Sequence, residues 1–549
     1  MSQSRSNDEP VALFAHWGVE RWRAEAERLG LEDAALRARV GELEGQVAAL
    51  MDRVATLMDR VATLSRLAFG KSSEKKKPKR AGSEPSEVEK TVDDSDATRR
   101  RGQRPGSAGH GRRDYSHLPT TEVLHDVPAA ERACPRCGAG YVPFGEECCE
   151  QLHWEVNVSR IVHRYPTYRR ACRCPVRAVL VAAAVAKPIP KGRFTAGFLA
   201  RLVTEKFVLG RPVHRIAAAL AWQGCEVAEG TVAGVLTAVS ALLAPLAAAI
   251  TERNAAAGHA HVDERSWQVF EAVEGKANNR WWLWVFVGSD STVFQIARSR
   301  STAVAAEHFG IDLDADTLAE GRQLLISSDF FTVYQSLARI DGIDPLYCWA
   351  HIRRYFIRAG DAHPELAGWT AAWTERIGAL YVAHRGYGAA EPGSAEAARA
   401  QAQITHTLAT MDTAHRGEAA DPATPAPARK VLATLDHEWD GLARHREYPE
   451  LPLDNNTAQR GLRNPVVGRK NYYGSGSVAS AELAARAWTI TATAARAGLN
   501  PLAYLTDYLH ACAAAGGKPP NSQALARFYP WAATDADLTR WRGQPGPGP

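Results

Sequence analysis

The segment HAHVDERSWQVF, residues 259–270, reads as a strand with Asp263 inside it. Three more strand-like runs follow: WWLWVFVG (281–288), TVFQIARS (292–299) and QLLISSD (323–329). A helical stretch, TAVAAEHF (302–309), precedes the last of them, and Asp329 closes it. The order is three strands, a helix and a fourth strand, which predicts an α/β domain.

This order resembles the first part of an RNase H-like fold. In such a sheet the first and fourth strands are neighbours, so Asp263 and Asp329 are expected to meet over one metal ion. Cutting a phosphodiester needs an activated water and a stabilised leaving alkoxide, and two Mg²⁺ ions roughly 3.5–4 Å apart supply both. Mg²⁺ (or Mn²⁺) takes hard oxygen ligands and keeps several waters, so two or three carboxylates suffice. A freed 3′-hydroxyl then replaces water as the nucleophile. A single Asp at a strand end reads first as a turn or helix cap; the pair in this strand order is what points to metal.

Basic residues cluster beyond the fourth strand. CWAHIRRYF (348–356) sets His351, Arg353 and Arg354 on a helix close to the second Asp, either as phosphate contacts or as an exposed basic turn. Cys348 reads as a core residue. Further on, Arg460, Arg463, Arg469 and Lys470 surround a Gly/Ser turn, GSGS, with Tyr472 and Tyr473, a composition suited to a groove that tracks a nucleic-acid backbone. Between them, about 362–448, lies an Ala-rich helical insertion whose stretch GEAADPATPAPARK reads as a loop.

Toward the N-terminus, RPVHRIAAALAWQGCEVAEGTVAGVLTAV predicts two helices joined at Gly224. Helix-turn-helix geometry would set the second, near Glu229 to Leu236, into a DNA groove. That helix is poor in Arg, Lys, Asn and Gln, and a plain helical hairpin explains it as well. Residues 116–190 are short and β-like. Cys134 and Cys137 in CPRCG, with Cys172 and Cys174 in RACRCP, suit a tetrahedral Zn²⁺ ribbon. The second knuckle is CxC, Cys148 and Cys149 are candidate substitutes, and buried free thiols are the plainer alternative.

Residues 71–115 form a linker with charge in blocks, KKKPKR and RRRGQR against the acids at 93–96, and no apolar period; disorder is expected. It serves as a solvated tether or as a loose phosphate-binding arm. Before it, Leu36, Leu43, Leu50, Leu57 and Leu64 recur every seven residues, with Val40, Val47, Val54 and Val61 four after the first four. Val at a and Leu at d favour a parallel dimeric coiled coil over about 20–70. An amphipathic helix packed on its own domain is the alternative.

Composition sets the outer bounds. At 549 residues several domains are expected. Hydrophobic residues make up 45% and charged ones 23%, ordinary for globular protein, and the net charge of +5 leans basic. Nine cysteines without a secretory signal, and a longest apolar run of nine residues from Ala178 to Ala186, predict a cytoplasmic protein without a membrane span.

Several stretches are similar to transposases of the insertion-sequence-66 family. They are LAFGKSSEK (67–75), CPRCG (134–138), VDERSWQVFEAVEGKANNRWWLWVF (262–286), SDFFTVY (328–334), CWAHIRRYF, LPLDNNTAQRGLRNPVVGRKNYYGSGS (451–477) and GLNPLAYLTDYLHAC (498–512). The resemblance implies a multidomain α+β chain. Its parts would be an N-terminal coiled coil, a zinc module at 116–190, a helical DNA-binding segment at 191–255, an RNase H-like catalytic domain at 256–515 and a tail at 516–549. It implies that Asp263 and Asp329 are the first two catalytic acids of a DDE set acting on terminal inverted repeats and target DNA, with accessory proteins of the same element. The third acid of the family is the Glu of DNNxAER; here that position is Gln459. Glu482 or Asp454 could substitute. If neither does, the chain is a DNA-binding regulator with impaired cleavage.

Overall fold

The computed structural model describes residues 179–543 apart from 277, 315, 316, 319 and 320, together with 120, 131, 135–141, 156–169, 171 and a few positions before residue 40. The chain divides into two units, residues 1–110 and 111–549. In the first, only isolated helical positions are described; the Val/Leu seam and the charged linker lie outside the described residues.

In the second unit, strands β1 (Thr167–Arg169) and β2 (Val179–Val181) form an antiparallel ribbon. The zinc expectation for this region is corrected. Among the described residues no group of three or more His, Cys, Asp or Glu side chains converges to hold a metal ion. Cys137, the one described member of the four, is a free, exposed thiol, whereas a tetrahedral site needs its sulfurs drawn together. Cys134, Cys172 and Cys174 lie outside the described residues.

Helix α1 (Ala196–Val203) runs into a π-helical turn at Thr204–Val208; α2 (Val213–Ala221) and α3 (Glu229–Ala255) follow, joined by a turn in which Gly224 has φ 75°. Helix α3 is long and apolar enough to cross a membrane by length and composition. Its Leu236, Leu243, Leu246 and Ile250 are buried in the protein core.

The sheet follows: β3 (His259–Gln268), β4 (Arg280–Val287), β5 (Thr292–Ala297), α4 (Thr302–Phe309), β6 (Leu324–Ser328), α5 (Thr332–Leu337) and β7 (Ile343–Tyr347). Its spatial order is β5-β4-β3-β6-β7, with β3–β4 and β4–β5 antiparallel and β3–β6 and β6–β7 parallel. The first and fourth strands of the run are thus neighbours. Next come α6 (Trp349–Ala362), α7 (Ala367–Ala389), α8 (Ala395–Ala420), α9 (Ala426–His437) and α10 (Trp439–Ala443), then α11 (Asn456–Tyr472), α12 (Val478–Arg496), α13 (Pro501–Ala514), α14 (Ser522–Ala526) and α15 (Asp535–Arg542). The result is a largely helical α+β domain.

Strand β4 is apolar on both sides because both faces of the sheet are covered. On one face Val285 and Val287 meet Gly461 of α11, and Trp267 packs edge-on against Trp488 of α12. On the other, Phe286 stacks on His308 of α4. The free edge of β5 is closed by α12: Thr292 N–H donates to Thr493 Oγ1 (3.1 Å) and Phe294 N–H to Thr489 Oγ1 (2.9 Å). These threonines satisfy donors that would otherwise template pairing with another chain. Helices α6–α10 enclose a second core around Trp349, Phe356, Trp373, Leu408 and Leu432.

His308 is buried, with Nε2 2.8 Å from Asn254 Oδ1, and burial pushes its pKa down to about 3. The unfolded chain takes up this proton near the ordinary value of about 6.5. The stabilisation is therefore complete above pH 6.5 and is lost as pH falls toward 3. At pH 5 His308 alone is expected to remove about 2 kcal/mol. Half-buried His259 and buried His261 and His445, held low chiefly by loss of solvent, act in the same direction. Urea midpoints at pH 7.5 and 5 check this; a flat pH response, or one unchanged in His308→Gln, would contradict it.

Candidate active site and nucleic-acid interface

Strands β3 and β6 pair in parallel with His259 opposite Leu325 and His261 opposite Ser327. Continued two residues, that register sets Asp263 level with Asp329 on one face of the sheet. Asp263 is buried; its Oδ1 accepts from Glu264 N–H (2.8 Å) and its Oδ2 lies 3.7 Å from Arg265 Nη2. Burial pushes its carboxyl up to about 7; Arg265 pulls it down, and the charges of Glu264 and Asp329 add to the rise. Asp329 is half-buried and accepts from Phe331 N–H (3.1 Å) at the start of α5.

Helix α11 is fixed over this face by Asn455, which precedes it. Asn455 Nδ2 donates to Val262 O (2.7 Å), its Oδ1 meets His261 Nδ1 (3.1 Å), and its N–H donates to Cys348 Sγ (3.2 Å) at the start of α6. Cys348 is buried, as its reading as a core residue implies. One buried amide thus ties together β3, α6 and α11. Gln459, in the first turn of α11, faces a cleft of about 400 Å³ that it lines with Arg265, Asn456, Arg460 and Arg463. Asn456 also borders a larger groove of about 860 Å³ between α6 and α7, lined by Arg353, Arg354, Arg385, Tyr381 and Asp454 among others. The two openings share Asn456, and each is lined by three arginines.

His351 lies among Asp329, Arg265, Arg354 and Arg358. Burial lowers its pKa against the pull of Asp329, and its buried Nδ1 has no hydrogen-bond partner. Arg460, Arg463 and Lys470 are exposed. Arg469 is half-buried and donates to Ser266 O, tying α11 to β3. The GSGS turn extends the sheet: Ser475 N–H donates to Gln268 O (2.8 Å) and Phe270 N–H to Ser475 O (2.9 Å). A Cβ at Gly474 would stand 2.3 Å from Gln268 O, so only glycine fits there. Glu482 on α12 pairs with Arg486 (3.0 Å), whose Nη1 donates to Ser240 Oγ (2.9 Å). Asp454 Oδ1 caps Asn456 N–H (3.0 Å).

Three residues escaped the sequence reading: Arg265, Asn455 and Glu264. Glu264 alternates to the opposite face, where Arg300 Nε (2.6 Å) and the Tyr334 hydroxyl donate to it. The strand period of two was the available signal.

The expected Mg²⁺ (or Mn²⁺) set is corrected as well. Asp263 and Asp329 supply two carboxylates, Gln459 an amide, and Glu264 faces away; among the described residues no third acid or histidine completes a metal-holding group.

Residues 191–483 match the family described as "Transposase IS66 family". The chain is 26% identical over 433 residues to the uncharacterized protein y4qI of Sinorhizobium fredii (strain NBRC 101917 / NGR234), covering 76% of this chain and 77% of that protein. It is 24% identical to y4jD of the same organism, covering 72% and 76%. No solved structure matches.

Proposed function

Because this chain belongs to the IS66 transposase family, we propose that it holds the ends of a mobile DNA element against the arginine-lined cleft at Gln459 and cleaves them poorly. The observation that carries the reading is an arginine-lined cleft at Gln459 beside an acid set of two. Arg265, Arg460 and Arg463 share the cleft with Gln459, where a third carboxylate would stand. Arginine forks suit phosphate oxygens, and phosphate contacts supply most of the affinity for DNA. Asp263 and Asp329 instead belong to the chemical step. A parallel dimer through the Val/Leu seam, bringing two ends together, and accessory proteins of the same element complete the proposal.

The division of labour is tested on labelled element ends. Asp263→Ala and Asp329→Ala are expected to retain end-binding within about twofold, since they remove no phosphate contact. Arg460→Gln with Arg463→Gln is expected to weaken it and to flatten the salt dependence by about 0.9 per contact on duplex DNA. Loss of binding in both folded Asp variants would refute the reading. A fully active strand-cleaving and strand-joining enzyme is the alternative, and it would show as strong 3′-hydroxyl nicking by the unmodified chain.

A further inference from the structure

Helix α6 carries His351, Arg354, Tyr355 and Arg358 at helical spacings of three and four, so they share one face. That face begins beside Asp329, whose charge acts on His351. Phe330 follows Asp329 in the chain, and its ring stacks on Tyr355 with centroids 6.1 Å apart and planes at 27°. Phe330 is itself held edge-on by Tyr347 (5.6 Å) and His351 (6.3 Å). Tyr355 is therefore fixed from beneath while 37% of it remains open to solvent. Arg354 and Arg358 flank it, both exposed, and among the described residues neither is in a salt bridge.

We infer that this face of α6 is a binding track for an unpaired DNA strand, with a base stacked on Tyr355 and phosphates on Arg354 and Arg358. The inference rests on the DNA-end reading above and specifies the strand state that the site accepts. A pre-ordered ring with an open face rewards an unstacked base, whereas the bases of an intact duplex already spend their faces on one another. Cations on either side of the ring match the alternation of base and phosphate along a single strand. The placement of the acids agrees: Asp263 is 7% exposed and Asp329 half-buried, so a strand peeled from the duplex reaches them more readily than a rigid helix does. Tyr355 thus acts as a positioning residue that holds the strand near the carboxylates.

The test uses the full chain, an oligo-dT strand carrying a single 2-aminopurine, and a duplex of the same length. The unmodified protein is expected to bind both and to quench the 2-aminopurine. Tyr355→Ala is expected to abolish the quenching and weaken single-strand binding roughly 5- to 150-fold, the range for removing one base-stacking aromatic. Duplex binding should be unchanged, and Tyr355→Trp should restore the quenching. Arg354→Gln and Arg358→Gln should each flatten the single-strand salt dependence by about 0.7. Undiminished quenching in Tyr355→Ala, or an equal fall in single-strand and duplex binding with an unchanged melting temperature, would overturn the track alone. Failure of the unmodified chain to bind either DNA would overturn the DNA reading and the track together.

Discussion

Gln459→Glu is expected to raise nicking of element ends on the order of a hundredfold in Mg²⁺ or Mn²⁺ buffer, the rate equivalent of about 3 kcal/mol. Gln459 stands in the first turn of α11 and shares its cleft with Arg265, which touches Asp263. The amide offers one neutral carbonyl oxygen, whereas Glu would offer a charge and two acceptor oxygens. Divalent ions of this kind favour hard, charged oxygen. The helix N-terminus also favours an acid there, so the substitution should fold. End-binding should change little. Glu482 is the competing candidate, but it lies on α12, not α11, and is engaged by Arg486 one turn further along the same helix. Strong nicking by the unmodified chain, unaffected by Gln459→Glu and lost in Glu482→Gln, would transfer the role to Glu482.

Arg300→Ala should produce the largest loss of stability from a single side chain near the site, about 3–5 kcal/mol, the usual cost of stripping the partner from a buried charge. Glu264 is almost fully buried and is held by Arg300 and Tyr334, with Arg300 also lying 3.5 Å over the Phe331 ring. Burial already raises the Glu264 carboxyl, and Arg300 is the main force holding it down. Without Arg300 the folded-state pKa rises further above the unfolded value of about 4.3. The folded protein can then relieve the buried charge by taking up a proton. The loss is therefore full above the raised pKa and shrinks as pH falls below it. Urea midpoints of the variant and parent at pH 8 and pH 5.5 read this directly, and adding Glu264→Gln should recover part of the loss. A loss equal at both pH values, or below about 1 kcal/mol, would contradict the account.

Much of the architecture was legible because strand signals are local. The run WWLWVFVG is apolar on both faces, and both faces of β4 are covered. The resemblance of the three-strand, helix, strand order to an RNase H-like fold implied the neighbouring of β3 and β6, and with it the level placement of Asp263 and Asp329. The break around GEAADPATPAPARK is shorter than a loop reading implies. Helix α8 reaches Ala420 and α9 starts at Ala426, because Pro422 and Pro425 confine the interruption to a few residues while the flanking alanines favour helix.

By itself, then, the sequence determined the strands and their succession along the chain, since these follow from residue type and local period; the pairing of the two acids and the amide at the third acid's position were read through the resemblance to the family. Only the tertiary structure decided which polar side chains are free for a partner. Arg469 and Arg463 look alike in the chain, yet one is tied to Ser266 and the other is exposed in the cleft. Phe330 and Tyr355 become a stacked pair only because β7 delivers α6 beside the end of β6. Side-chain engagement depends on contacts between segments tens to hundreds of residues apart, and no local pattern encodes those distances.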